Sequence, residues 1–135
     1  MADEKRFEEK LKSWLESEGI YALGTPRQDM KMPPCGYWEK RWGGGKYVKS
    51  GLPDMHIVVR NVSIEIELKS ATGTASPLQK QKLSQIADSG CIGFVARPAD
   101  FPKIQNLIWM VKELHLPWRL MMEESGLERV VMDGA

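Results

Sequence analysis

The segment from Ser63 to Lys69 constrains the fold more than any other part of the chain. Its apolar and charged residues alternate, in the order Ile64, Glu65, Ile66, Glu67, Leu68 and Lys69. A period of two predicts a β-strand with one buried face and one face that carries two carboxylates and an ammonium. Charged groups on a largely buried strand are costly unless they are paired, hydrated or bound to a metal. The charged face therefore points to a functional role.

A further carboxylate, that of Asp54, lies just upstream in the dipeptide Pro53-Asp54. Residues 55–60 are predicted to form a strand, and Asn61-Val62 a tight turn into the partner strand at 63–69. Such a hairpin brings Asp54 close to Glu67. Magnesium prefers oxygen ligands and usually keeps several waters, so two or three carboxylates suffice to hold it. The pattern predicts a site for Mg²⁺ or Mn²⁺ at this end of the hairpin.

The order Pro53-Asp54, then Glu67-Leu68-Lys69, resembles the PD-(D/E)xK nuclease superfamily. With Gly51-Leu52 before it and Ser76-Pro77-Leu78-Gln79 after it, the pattern is similar to the VRR-NUC branch, in its stand-alone phage and bacterial form. The similarity runs from about Glu8 to Arg97, and the C-terminal third lies outside it. Four elements in this order are more specific than an isolated Asp with a later Glu-x-Lys. The resemblance implies a restriction-endonuclease-like fold and metal-dependent hydrolysis of DNA.

Roles for five residues follow from the chemistry and from this resemblance. Asp54 and Glu67 are the expected metal ligands. Lys69 is expected to orient or help deprotonate the attacking water, or to neutralise the phosphate. The resemblance implies that Glu8, on the first helix, completes the metal site. It also implies that Gln79 acts in catalysis, by a hydrogen bond to a phosphate or to Lys69.

Each of these residues also has a simpler explanation. Glu67 and Lys69 would be ordinary surface residues if their strand lay at a sheet edge with one solvated face. Glu8 lies in a charged stretch that is compatible with full exposure. Gln79 is compatible with an ordinary exposed position on a helix. Glu65 either extends the metal site or forms an ion pair with a basic neighbour, and the ion pair is favoured because Glu65 stands one pleat away from Glu67.

The remaining pattern predicts an α/β fold in which a mixed sheet is flanked by helices, in the order α-β-β-β-α-β-α. Outside the hairpin, the expected elements are a helix at 3–18, a short strand at 21–23, a helix from the Ser76 cap to Gly90, a strand at 92–96, a helix at 102–114 and a last strand or edge at 118–122. Residues 25–50 hold several Pro and Gly residues and are predicted to form a loop.

Basic and aromatic residues interleave in the 25–50 loop, and two explanations compete. The loop either clamps phosphates and stacks on exposed bases, or packs its aromatic rings on the core with its charges in water. The nucleic-acid interpretation is favoured because the loop leads directly into Pro53-Asp54. The candidate contacts are Arg27, Lys31, Lys46 and Lys49, joined by Lys82 on the following helix. For Lys82, a solvated surface position is equally compatible with the pattern.

Length and charge complete the prediction. The 135 residues fit one domain, 1–135, with a helix and tail at 98–135, and a net charge of +1 excludes a globally basic nucleic-acid binder but not a local basic patch. No stretch approaches the roughly 20 apolar residues that span a bilayer. We therefore expect a cytoplasmic protein with no membrane association, and the resemblance implies a bacterial or phage-infected host cell and DNA as the partner.

The predicted function is that of a Mg²⁺-dependent endonuclease, and the resemblance implies junctions or flaps as the DNA structures that it cleaves. Symmetric cleavage of such DNA implies a homodimer. Apolar residues near the C-terminus either supply that interface or close the core, namely Trp109, Met110, Trp118, Leu120, Met121 and Met122. The alternative function is a catalytically inactive nucleic-acid-binding module of the same fold.

Overall fold

The computed structural model describes residues 3–41, 51–114 and 118–128. In these ranges the helices are α1 (Asp3–Ser17), α2 (Pro77–Asp88), α3 (Phe101–Glu113) and α4 (Trp118–Ser125). The strands are β1 (Ile20–Ala22), β2 (Gly36–Lys40), β3 (Met55–Val59), β4 (Val62–Leu68) and β5 (Ile92–Ala96). Short 3₁₀ turns at Arg27–Asp29 and Pro98–Asp100 complete the described elements.

The five strands form one mixed sheet in the order β1-β2-β3-β4-β5. The two outer pairs, β1 with β2 and β4 with β5, are parallel, whereas β2, β3 and β4 pair antiparallel. β4 therefore lies inside the sheet, between β3 and β5. The α/β class with a mixed sheet flanked by helices is confirmed.

The main core lies on the sheet face that α1, α3 and α4 cover. It joins apolar residues of α1 such as Leu11 to Ile66 and Phe94 of the sheet and to Ile104 of α3. Val95 instead packs with Leu83 of α2 in a smaller cluster on the opposite face. Because successive strand residues point to opposite faces, the helices enclose β4 and β5 on both sides.

The β3–β4 hairpin sets the geometry of the candidate site. Its turn is Arg60-Asn61, one residue earlier than predicted, and both residues have positive φ, 45° and 72°. Two such residues are typical of the type I′ turn, whose twist matches that of the flanking strands. Met55 pairs with Ile66, and continuation of this register places Asp54 opposite Glu67.

Two elements differ from the sequence prediction. Residues 36–40, expected within an irregular loop, form β2, because they pair with β1 on one side and β3 on the other. Residues 118–122, expected as a strand or edge, begin helix α4, in which Met122 and Ser125 are buried three positions apart. A short apolar run does not distinguish a strand from a helix by its period alone.

Some of the apolar C-terminal residues belong to the core. Met110 and Met122 are buried in the main core, whereas 51% of Trp109 is exposed. The side chains of Trp118, Leu120 and Met121 lie outside the described part of the structure. Within the described ranges, no helix combines the length and apolar character needed to cross a bilayer.

Candidate functional site

The hairpin brings Asp54 and Glu67 together at one end of the sheet. Asp54 immediately precedes β3, and its Oδ2 accepts a hydrogen bond of 2.9 Å from the backbone N–H of Leu68. This bond ties the Asp54 side chain to the strand that carries Glu67. Glu67 pairs with Val95 of β5 and so lies on the sheet face that α2 covers.

Glu67 is buried, with only 2% of its surface exposed, and its two oxygens differ in their surroundings. Oε1 accepts a hydrogen bond of 2.9 Å from Gln79 Nε2 and lies 3.5 Å from Lys69 Nζ. Oε2 is buried and has no hydrogen-bond partner among the described residues. Burial raises the pKa of Glu67 to about 8, and the neighbouring Asp54 carboxylate acts in the same direction. A carboxylate in this state gains from any added positive charge.

Gln79 reaches Glu67 because the start of α2 holds it in place. Ser76 caps the helix, its Oγ accepting from the Gln79 N–H, and Gln79 Oε1 accepts in return from the Ser76 N–H. This capping box uses the amide oxygen of Gln79 and leaves its Nε2 group to donate to Glu67. The helix N-terminus therefore fixes the orientation of the Gln79 donor.

Glu8 lies on the other side of this cluster, in the first half of α1, and is only 5% exposed. Its Oε1 is 2.8 Å from Lys40 Nζ, and its Oε2 is 2.9 Å from Lys12 Nζ and 3.3 Å from Lys5 Nζ. Burial raises its pKa, but the hydrogen bonds from Lys40 and Lys12 outweigh it and bring the pKa down to about 2. Glu8 connects to Asp54 through Lys40, whose Nζ also lies 3.6 Å from Asp54 Oδ1.

Glu65 forms the expected ion pair with a basic neighbour. Both of its oxygens contact the guanidinium of Arg41, with 3.0 Å between Arg41 Nη2 and Glu65 Oε1, and His56 Nδ1 also contacts Oε1. The same guanidinium donates to the carbonyl oxygen of Pro53, and the backbone N–H of Arg41 donates to that of Asp54. The pair thus fastens the Pro53-Asp54 segment to β2.

The simple surface explanations for Glu67 and Glu8 are wrong. β4 is an internal strand, and Glu67 and Glu8 are both buried, so neither carboxylate belongs to a solvated face. Lys69 is also largely covered, with 18% of its side chain exposed. Ionisable groups whose pKa is shifted by burial and by a charged neighbour cluster at functional sites.

The donor set fits a hard divalent cation with few protein ligands. In the described part of the chain, no three His, Cys, Asp or Glu side chains are grouped around one point as a metal cage. Mg²⁺ does not need one, because it is commonly held by one or two carboxylates and retains several waters. The observation that supports this fit is that Glu67 lies beside the Asp54 carboxylate and that its buried Oε2 accepts no hydrogen bond from any described residue.

The predicted nucleic-acid contacts do not all lie near the Asp54–Glu67 cluster. Arg27 and Lys31 are exposed near the edge strand β1, where Lys31 lines a cavity of about 590 Å³ together with Glu16 and Asp29. They are not part of the Asp54–Glu67 cluster. Lys82 is half-buried on α2, three positions after Gln79. Lys46 and Lys49 lie outside the described residues, so their DNA contacts stay predictions.

Five further residues of the cluster were not assigned to the site from the sequence: Lys5, Lys12, Lys40, Arg41 and His56. The spacing of Glu8 and Lys12 was a usable signal, since residues four apart on a helix face one another. Lys40 and Arg41 had no comparable signal, because their positions depend on the pairing of β2 with β3.

No protein-family model matches the chain, and no curated protein matches it in sequence. The similarity to nucleases is therefore an expectation that comes from the motif residues of this sequence.

Proposed function

We propose that this chain is a Mg²⁺-dependent endonuclease domain that hydrolyses DNA phosphodiester bonds, with branched DNA such as junctions or flaps as its preferred substrate. The observation that carries the proposal is the state of Glu67. This carboxylate is buried, faces Asp54, and has one oxygen held by Gln79 and Lys69 while the other has no partner among the described residues. Such an arrangement costs stability unless a cation joins it.

Each residue of the site has its own role in the proposed hydrolysis. Asp54 and Glu67 would hold the metal ion, which when bound supplies an activated water and stabilises charge on the phosphate oxygens. Lys69, beside Glu67, would orient the attacking water or neutralise charge on the phosphate through its ammonium group. Gln79 keeps Glu67 Oε1 occupied, so that Oε2 is the oxygen left to face a cation. Glu8 lies nearby, but lysines pair with both of its oxygens, so we propose that it assists the site through Lys40 and not as a third ligand.

The proposal includes a homodimer, because paired cuts in a branched DNA need one site facing each strand. Residues 42–50, which include Lys46 and Lys49, come shortly before Asp54 in the sequence, and these lysines are proposed to contact the phosphates that flank the cleaved bond. Replacement of both by Ala should lower the slope of log affinity against log salt by roughly 0.9 for each duplex phosphate that is no longer neutralised.

The deciding experiment is a cleavage assay on single-stranded, duplex, flap and four-way-junction DNA, with Mg²⁺ or Mn²⁺ and with EDTA. Asp54→Ala and Glu67→Ala should each abolish cleavage and remain folded by circular dichroism. Glu16→Ala, which removes an exposed carboxylate of α1, is the matched control and should cleave at the wild-type rate. Wild-type cleavage by either site variant at saturating Mg²⁺ would show that the assigned metal site is wrong.

Lys69→Ala separates the effect of the Lys69 ammonium on turnover from metal binding. It should sharply reduce turnover while metal affinity changes little, because an ammonium does not ligate a metal. The control is Lys80→Ala, which removes an exposed lysine from α2. Equal turnover in the two variants would remove Lys69 from the mechanism.

A catalytically inactive DNA-binding module is the second candidate. It is favoured by one observation, that the Lys40 ammonium already lies between the carboxylates of Glu8 and Asp54. This module would bind the DNA panel with a salt-dependent affinity but leave every substrate intact with either metal. Metal would also fail to raise its melting temperature, whereas a metal that binds the native state raises it.

A further inference from the structure

Lys40 occupies a position between two acidic side chains that come from different elements. Its Nζ lies 2.8 Å from Glu8 Oε1 on α1 and 3.6 Å from Asp54 Oδ1 at the start of β3. Only 13% of the Lys40 side chain is exposed. A buried ammonium is costly unless it is paired, and here two carboxylates provide the compensation.

The backbone fixes this placement. Lys40 is the last residue of β2 and pairs with Met55, which belongs to the core beneath α1. Residues directly opposite in a sheet share a face, so the Lys40 stem extends toward α1 and Glu8. The next residue, Arg41, donates its N–H to the carbonyl oxygen of Asp54 at 2.7 Å. The Lys40 ammonium is thereby held where β2 and β3 end, beside the Asp54 carboxylate.

We propose that the Lys40 ammonium is a resident cation that bridges Glu8 and Asp54 in the metal-free protein and competes with the divalent metal for Asp54. The inference rests on the proposed function in one respect, namely that Asp54 is a metal ligand. A lysine ammonium is a compact point charge with three donors, so it neutralises carboxylates without taking a fixed coordination geometry. Metal binding then requires the longer contact, to Asp54, to break, while the shorter one, to Glu8, persists.

The chain contains a matched control for this role. Lys12 also pairs with Glu8, at 2.9 Å, and its side chain is 17% exposed, close to the value for Lys40. Its described ion pairs are with Glu8 and Glu9, not with Asp54. Loss of the Lys12 charge should therefore disturb Glu8 to a similar extent without releasing Asp54.

The test compares Lys40→Met with Lys12→Met, since methionine keeps much of the apolar stem and removes the ammonium. Binding of Mg²⁺ and Mn²⁺ alone, without DNA, is measured by isothermal titration calorimetry and by the shift in Tm. A unit charge about 5 Å from a divalent ion weakens its binding roughly tenfold even at the dielectric constant of water. Lys40→Met should therefore bind metal about tenfold more tightly than the wild type, with a lower Tm in EDTA and a larger gain on adding metal.

Lys12→Met should also have a lower Tm in EDTA but a metal affinity within about threefold of the wild type, because its charge lies farther from Asp54. If Lys40→Met is too unstable to titrate, Lys40→Gln serves instead, because its amide is neutral and still offers donors to both carboxylates. Unchanged or weaker metal binding by the Lys40 variant would overturn the inference. An equal gain in the Lys12 variant would do so as well, since the effect would then be one of general charge.

The outcomes also separate this inference from the proposed function. If the wild type cleaves DNA with metal and the Lys40 variant gains no affinity, only the role of Lys40 fails. If the Lys40 variant gains affinity but neither protein cleaves any DNA, the competition stands and the nuclease proposal fails. If neither protein binds metal, the competition is refuted along with the metal site.

Discussion

The buried Glu67 should make the metal-free protein lose stability as the pH rises, and replacement by Gln should remove this loss. The pKa of Glu67 in the fold is about 8, raised from an ordinary value of 4.5 by burial and by the Asp54 carboxylate. Between these two values the unfolded chain has released the proton and the folded protein still holds it. The fold therefore binds more protons, and stability falls as the pH increases through this window.

The size of the effect follows from the shift. One pKa unit corresponds to about 1.4 kcal/mol, so the shift from 4.5 to about 8 gives roughly 3 to 5 kcal/mol by the upper end of the window. Glu67→Gln is neutral at every pH and keeps an oxygen to accept from Gln79 Nε2. The variant and the wild type should have similar stability at pH 5, and the variant should be more stable by several kcal/mol at pH 8.5.

The assay is urea denaturation in EDTA at intervals from pH 5 to pH 9, with the free energy of unfolding plotted for both proteins. Glu16→Gln, at an exposed position of α1, is the control and should follow the wild type throughout. A difference of this size also corresponds to roughly 10 to 20 °C in Tm at pH 8.5. If the curves of wild type and Glu67→Gln run parallel across the range, Glu67 does not have the raised pKa and the argument from its burial fails.

Four further predictions concern Glu8, Arg41, Ser76 and Gln79. The pKa of Glu8 is about 2, against an ordinary value of 4.5, so Glu8 should stabilise the fold above pH 4.5 and lose this contribution as the pH falls toward 2. Glu8→Gln should therefore lower the free energy of unfolding by about 3 kcal/mol at pH 7 and flatten the acid side of its pH profile, measured by urea denaturation. Arg41→Ala should destabilise the protein by about 3 to 5 kcal/mol in the same assay, because Glu65 would remain buried without its main partner, and a loss below 1 kcal/mol would contradict this. Ser76→Ala should cost about 1 kcal/mol through removal of the helix cap and leave cleavage intact. Gln79→Glu should retain the cap but place a carboxylate against Glu67 and reduce cleavage at least tenfold, and equal cleavage by these two variants would refute the role given to the Gln79 amide.

Much of the fold could be predicted because its signals are local. The alternation in β4, the positive-φ turn before it and the Ser76-Pro77 start of α2 each depend on residues a few positions apart. The structure confirms these elements within one or two residues, as it does α1, α3 and the buried strand β5. The same local signals place Asp54 opposite Glu67, since a two-residue hairpin fixes the register of its strands.

β2 could not be predicted in this way. Its residues, Gly36 to Lys40, are mostly half-buried and show no clear alternation, and the strand exists because β1 and β3 offer hydrogen bonds on both sides. β2 and β3 are separated along the chain by residues 41–54. Lys40 and Arg41, which contact Asp54, Glu8 and Glu65, were therefore missed as parts of the site.

The sequence alone determined that two carboxylates and a lysine share one strand face, and that an aspartate precedes the neighbouring strand. Only the tertiary structure decided that Glu67 is buried and that Glu8 is surrounded by lysines. The physical reason is that strand periodicity arises from the geometry of adjacent residues, whereas the charge state of a carboxyl depends on desolvation and on neighbours from distant segments. The pKa values of about 8 for Glu67 and about 2 for Glu8, two glutamates with the same intrinsic chemistry, are consequences of that environment.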